Sequence, residues 1–362
     1  MPESMRAARL LECGSELQVQ EIPIPDIGAN DVLVRIAACG TQDGDYMLMQ
    51  GKLPLNLLPL TIGHEPAGVV AQVGAGVRGV KEGDRIFVDP SIACGNCQFC
   101  HAGTEHYCAA YGVMGMTHFQ PQGAEIFQVY GNGGFAEYMK IPGNNVRHLP
   151  DDLPFEQAAK LAFLGVSLKG VERTRLKPGE TIVISGASGA LGTCAVMAAN
   201  ALGAGKIIAV ARDPQRLERI RKINPQTVVP LSTRDDPELT RIRELTGGLG
   251  ADCYVDCLPA MGSELTQACL FTLRKGGRAA LIGGVTDALH LPYQLFMLME
   301  VEVTGSVGFG RGNFDRIVEL MRSGVVDFSQ FVTHEFPLEQ ANEAIMTVIE
   351  KTGDPLGVIV KP

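Results

Sequence analysis

Up to about residue 150 the apolar residues fall into short runs broken by glycine and proline, at 32–38, 67–73, 85–88 and 135–141. That punctuation is typical of short β-strands joined by turns. After Pro154 the texture changes to apolar strands alternating with stretches of helical spacing, the clearest strand being Thr181–Ser185. Further buried strands are predicted at 206–210, 253–256 and 278–282, with the sheet continuing to about residue 300. Such alternation predicts βαβ units on a parallel sheet. Amphipathic helices are predicted at 314–323 and 338–350, before a closing strand at 357–360. No internal repeat or low-complexity tract interrupts the pattern.

The strand ending at Ser185 runs into Gly186-Ala187-Ser188-Gly189-Ala190-Leu191-Gly192, and a helix-compatible run, 193–202, follows at once. Glycines at this junction let backbone approach a pyrophosphate, and the helix N-terminus supplies free amides and partial positive charge. Strand, loop, helix and second strand in this order predict dinucleotide binding. At the end of the second strand, where a carboxylate would hold the ribose hydroxyls of NAD, stands Ala211. Arg212 follows and suits a 2′-phosphate, which favours NADP(H) over NAD(H), while Asp213 leaves the hydroxyl reading open. The expected cofactor-binding set is Gly186, Ser188, Gly189, Ala190, Leu191, Gly192, Ala211, Arg212, Gly283 and Val307.

Composition narrows the partners. The 362 residues are 46% apolar and 20% charged, with net charge -9, a balance that suits a soluble enzyme and opposes a basic nucleic-acid or membrane surface. The N-terminal residues carry Glu3, Arg6 and Arg9 and no long apolar stretch, so a cytoplasmic protein with a small-molecule substrate is expected. Four of the ten cysteines, Cys94, Cys97, Cys100 and Cys108, crowd into one loop. Four thiolates at this spacing complete a closed tetrahedral zinc site, which is structural because no position stays open, and they leave no ligand role for His101 or His106. Cys39, Cys194 and Cys257 sit in apolar runs and read as buried, inert thiols.

Taken together, the cysteine knuckle, Gly63-His64-Glu65, Gly134-Phe135-Ala136-Glu137-Tyr138 and the nucleotide loop after Lys177-Pro178-Gly179-Glu180 resemble the zinc-containing medium-chain dehydrogenase/reductase family over essentially the whole chain. The resemblance implies an α/β protein with a GroES-like, partly open β-barrel catalytic domain at 1–152, carrying the zinc loop 94–108. It also implies a Rossmann doubly wound domain at 153–300, and a segment 301–362 returning to the first domain, with the substrate in the cleft. Homodimers or homotetramers are expected. Ser188 in the loop is more similar to the NADPH-dependent quinone-reductase branch.

In that family a catalytic zinc is held by a Cys, by the His of Gly-His-Glu, and by a Cys or Glu ahead of the Rossmann domain. Aligned without a gap, Gly40-Thr41-Gln42-Asp43-Gly44-Asp45-Tyr46-Met47 puts Gln42 at the cysteine, Gly44 at the relay hydroxyl, Met47 at the relay His, and keeps Asp45 as the acid behind the histidine. Phe163 stands at the third ligand position. A catalytic zinc is therefore expected to be absent, with His64 bonded to Asp45. A second register, requiring an insertion, leaves Cys39, His64 and Glu65 as ligands.

Without a Lewis acid, hydride transfer is easiest to an acceptor that delocalises the developing charge. The expected function is a zinc-independent NADPH-linked reductase of an α,β-unsaturated carbonyl or iminium. An alcohol or carbonyl dehydrogenase and a non-catalytic NADPH-binding protein are the alternatives. Candidate catalytic residues are Gln42, Asp43, Tyr46, His64, Glu65 and Phe163; Asp43, Tyr46 or His64 would supply the proton, and Gln42 would donate to a substrate oxygen. Met47, Met49, Met114, Met116, Phe119 and Phe163 suggest an apolar pocket, and the stretch 108–133, with Gln120-Pro121-Gln122-Gly123, a specificity loop.

Overall fold

The computed structural model describes residues 2–55 and 57–362. The chain separates into two compact units, one made of 1–161, 310–318 and 328–362, the other of 162–309 and 319–327.

The first unit is built on a seven-stranded sheet whose hydrogen-bonded order is Val146–His148, Arg85–Val88, Glu65–Val73, Asp31–Thr41, Gly357–Lys361 and Val332–Pro337, with Tyr138–Pro142 also paired to Asp31–Thr41. Asp31–Thr41 is buried along most of its length, which explains why it reads as a continuous apolar run rather than an alternation. Its last residues meet two partners, Gly40 lying opposite Glu65 on one side and opposite Ile359 on the other. A smaller antiparallel sheet joins Gln18–Pro23, Ser4–Leu10 and Leu60–Thr61.

Phe135, expected to begin a strand, lies before Tyr138–Pro142 and is fully buried against Gly63. The stretch 108–133 is not an irregular loop. It forms strands Gly112–Val113 and Thr117–His118 and helix Ala124–Tyr130, pinned by a Tyr130 hydroxyl bond to Asp31 (2.7 Å).

The second unit is a wholly parallel six-stranded sheet in the order Val228–Ser232, Lys206–Ala211, Thr181–Ser185, Ala251–Asp256, Leu273–Leu281 and Glu302–Gly305. This is the doubly wound order, with the reversal point beside the strand that feeds the glycine loop. Helix Ala190–Ala201 begins three residues before the predicted run because small residues let it start directly at the loop. The strand predicted at 278–282 begins instead at Leu273, and the sheet runs to Gly305. Near the C-terminus a 3-10 turn, Leu338–Gln340, leads into helix Ala341–Glu350. No helix among the described residues is long and apolar enough to cross a membrane.

The C-terminal part of the first unit is fastened by Phe314, buried and stacked on Phe87 with centroids 5.5 Å apart. Phe314→Ala should cost about 3–5 kcal/mol, read as a lower denaturant midpoint with an unchanged slope.

Candidate functional site

His64 is placed by a backbone turn that only glycine tolerates. Gly63 has φ +95° and carries Phe135 where a side chain would stand, a Cβ there falling 2.5 Å from the ring. Its N–H donates to the Gly115 carbonyl (3.1 Å), and its carbonyl accepts from Gly134 (2.7 Å). The turn is thus clamped from both sides, and His64 and Glu65 enter the strand buried. The two sequence motifs Gly63-His64-Glu65 and Gly134-Phe135 are parts of one piece of architecture.

Around His64 four elements converge. Asp45, fully buried on helix Asp43–Met49, accepts from the Gln42 N–H (2.9 Å) and the Thr41 hydroxyl (3.0 Å) through one oxygen. Its other oxygen stands 3.2 Å from His64 Nδ1, and neither atom has another hydrogen-bond partner among the described residues. Burial alone would push the imidazole's pKa down, but the Asp45 carboxylate, helped by Glu65, outweighs it and the net shift is upward.

On the far side of the ring, the Gln42 amide nitrogen pairs with His64 Nε2 and lies 3.5 Å from Glu65 Oε1. Glu65 Oε2 is taken by the ammonium of Lys160, which also donates to the Thr41 carbonyl (3.1 Å). Lys160 and Glu65 are both buried.

The Gln42 amide nitrogen, expected to donate to a substrate oxygen, faces His64 and Glu65 in this structure. Asp43 and Tyr46 make contacts of their own. Asp43 sits in the first turn of its helix, half-exposed, 3.7 Å from the Lys351 ammonium. Tyr46 packs half-buried against the core of the first unit. Phe163 lies in helix Leu161–Arg173 and belongs to the second unit. Of the proposed apolar lining, Met49 and Met114 are core residues, and Phe119 is exposed and stacked on Tyr111. Met116 does approach the site, its methyl 3.2 Å from where a Cβ on Gly44 would lie, with His64 Cε1 at 4.0 Å from the same point.

The residue that sequence reading missed is Lys160. Its only signal was a single cation inside the apolar run 158–164. Gly40 makes room for it: a Cβ there would come 2.6 Å from the Ala159 carbonyl and 2.8 Å from Lys160 Cδ.

Among the described residues, the one group of three or more Cys, His, Asp or Glu able to surround a metal is Cys94, Cys97, Cys100 and Cys108, with all ligand atoms within 4.8 Å of one another. Sulfur separations of 3.5, 3.6 and 3.9 Å match the roughly 3.8 Å edge of a tetrahedron with Zn–S bonds of about 2.3 Å. These donors fit a zinc ion. Cys39, His64 and Glu65 form no such group, and the Cys39 thiol is buried in the core, where desolvation drives its pKa well up.

The nucleotide loop fits a dinucleotide. Gly186 has φ +66°, and a Cβ there would strike the Cys257 carbonyl at 2.6 Å. Gly189, just before helix Ala190–Ala201, has only the Gly186 carbonyl, at 3.4 Å, where a Cβ would stand and offers no capping side chain, so the first amides stay available. Ala211 is buried, Arg212 exposed, and Asp213 Oδ1 accepts from Gln215 N (2.9 Å) and Arg216 N (3.4 Å), capping the next helix. Arg219, unremarked in the sequence, reaches the Ser188 carbonyl (3.5 Å). A Cβ on Gly283 would meet Asp256 Oδ2 at 2.7 Å, and the Val307 carbonyl accepts from Lys169 (2.7 Å).

The chain was compared with known proteins. The family described as Alcohol dehydrogenase GroES-like domain matches residues 28–151, and that described as Zinc-binding dehydrogenase matches 190–323. A sorbitol dehydrogenase of Bacillus subtilis is 30% identical over all of this chain and 98% of its own length. An NAD-dependent alcohol dehydrogenase of Sulfurisphaera tokodaii is 33% identical over 94% of this chain and 95% of its own. Among solved structures, a zinc-binding dehydrogenase from Sinorhizobium meliloti 1021 bound to NADP superposes with TM-score 0.87 at 25% identity, covering 100% of both chains. Alcohol dehydrogenase TADH from Thermus sp. ATN1 gives TM-score 0.85 at 28% identity over 99% of each. With both family descriptions matching and relatives of this identity aligned end to end, the chain belongs to the zinc-containing, alcohol dehydrogenase-like branch of the medium-chain dehydrogenase/reductase family and is an NAD(P)-dependent oxidoreductase.

Proposed function

We propose that the protein is an NADPH-linked reductase of activated acceptors, α,β-unsaturated carbonyls or iminium ions, working without a catalytic zinc. The observation that carries this reading is the Gln42 amide: its nitrogen faces His64 Nε2 and Glu65 Oε1 together, the space in which a metal would bridge an imidazole and a carboxylate. Bound nicotinamide would supply the hydride. The chain's own residues hold His64 against Asp45, keep Met116 near the imidazole, and leave no Lewis acid to polarise an ordinary ketone. An acceptor that spreads the incoming negative charge along a conjugated system asks for less. The names of the relatives favour a second reading, an alcohol or ketone dehydrogenase, and the substrate screen separates the two.

The cysteine quartet holds the single zinc and ties its loop together. NADPH is preferred because the end of the second Rossmann strand offers Arg212, with Arg216 and Arg234 acting on Asp213 close by, and the Asp213 carboxylate is committed to its helix. We place the protein in the reducing cytoplasm, where its ten cysteines, none of them in a disulfide, stay thiols or thiolates. It self-associates as a homodimer or homotetramer through the edge strand Glu302–Gly305 and the neighbouring helix Tyr293–Met299, whose Tyr293, Met297 and Leu298 are exposed.

Enals and enones should be reduced with NADPH at rates at least tenfold above simple ketones, and secondary alcohols should not be oxidised comparably. Equal rates on ketones overturn the acceptor assignment. In the same assay Gln42→Ala should lower kcat roughly 10-fold, about 1.4 kcal/mol, with zinc content unchanged; a loss of zinc contradicts the site. Arg212→Ala should weaken NADPH binding about 10- to 100-fold, the value of a charge-assisted hydrogen bond of roughly 1.5–3 kcal/mol, and leave NADH within a factor of two by fluorescence titration. Cys97→Ser should release the zinc and lower the melting temperature by several degrees, as measured by metal analysis and calorimetry.

A further inference from the structure

Lys160 is buried, its ammonium joined to Glu65 Oε2 and to the Thr41 carbonyl, with Thr41 also bonded to Asp45 through its hydroxyl. A lysine so placed needs a fixed anion and carbonyl oxygens to replace its lost water, and these are what it has. Its stem is threaded over Gly40, the residue paired with Glu65 across the sheet, at a distance no side chain on residue 40 would allow. The lysine is therefore built into the wall of the site, with its place set by backbone.

A divalent ion beside His64 would have to take a Glu65 oxygen, and would bring two positive charges to within a few ångströms of a third that has no route to solvent. At such distances in a poorly screened interior, like charges repel strongly. We propose that Lys160 is the resident cation of this centre: it neutralises Glu65, positions that carboxylate toward the Gln42 amide, and bars divalent metal from the His64 side of the pocket. This rests on the metal-free reading above and adds a cause to it. The absence of a cysteine at position 42 is then insufficient to explain why the centre works without metal; the lysine is the barrier. Lys160 is a positioning residue, since it acts through Glu65.

Two substitutions separate these causes. Gln42→Cys alone restores a ligand next to His64 and Glu65 while the lysine remains; Gln42→Cys with Lys160→Met removes the barrier as well. Each purified protein is dialysed against Zn2+, and bound zinc per chain is measured. The expected result is one ion, that of the cysteine quartet, in the natural protein and in Gln42→Cys, and two in the double variant. Adding Lys160→Arg to Gln42→Cys, which keeps the charge, should stay at one.

Two ions in Gln42→Cys overturn the barrier while leaving the metal-free reading intact, and so does a folded double variant that holds only one. Two ions in the natural protein overturn both. Should the double variant fail to fold without metal, Zn2+ should restore its circular dichroism and raise its melting temperature. The combination of Lys160→Met with Glu65→Gln, lacking the carboxylate, should gain nothing from zinc, and no zinc rescue of the double variant overturns the proposal.

Discussion

A carboxylate and an ammonium removed together from water are stable only in register, and the pair Glu65–Lys160 sets that register for the centre of the first unit. Taking either charge away would strand its partner at a cost of about 3–5 kcal/mol. Everything nearby is arranged around it. Thr41 gives its carbonyl to the lysine and its hydroxyl to Asp45; Asp45 faces His64; Gln42 spans from His64 back to Glu65. Two acids and two bases thus form a closed ring of compensation, in which the side chains that chemistry would use are already held by neighbours before any ligand arrives. Such prior ordering is what allows an enzyme site to act without reorganising during the reaction.

Much of the framework was legible in the chain. Thr181–Ser185 and the glycine loop were readable because a buried parallel strand, a loop that must let backbone approach, and a helix start each restrict residue choice independently. The Asp45–His64 pairing followed from the family resemblance, which keeps Asp45 as the acid behind the histidine. Less visible were contacts made by sequence-distant residues: Lys160 meets Glu65 across 95 positions, and nothing in its own surroundings announces a carboxylate. Residue types with two uses also misled. Met49 and Met114 suit a pocket and a core equally well, and packing decided for the core. Gln42 was located correctly in the cluster, but an amide has several partners to choose from and sequence does not say which it takes.

The nucleotide-binding unit shows the same division. The glycines were assigned from local backbone demands, and Gly186 and Gly192 do stand where a Cβ would meet backbone atoms. The electropositive surroundings of Asp213 were only partly visible: Arg216 lies three residues on in the helix that Asp213 caps, but Arg234, which follows Val228–Ser232, is brought near it by the parallel strands. A charge cluster assembled by topology is invisible to any scan along the chain.

The pairing of Val358–Val360 with Cys39–Thr41 has a consequence for biosynthesis. The strand on which the site is mounted takes one of its three neighbours from more than three hundred positions downstream. While the ribosome is still translating the second unit, Cys39–Thr41 has an open flank, and the Thr41 end of the pocket lacks its lateral support. The nucleotide-binding unit, whose first five strands run consecutively from 181 to 281, gathers its contacts much earlier in translation. The first unit to emerge is therefore the last to be completed, its Cys39–Thr41 edge staying open until the closing strand is made, the condition in which a chaperone has most to protect.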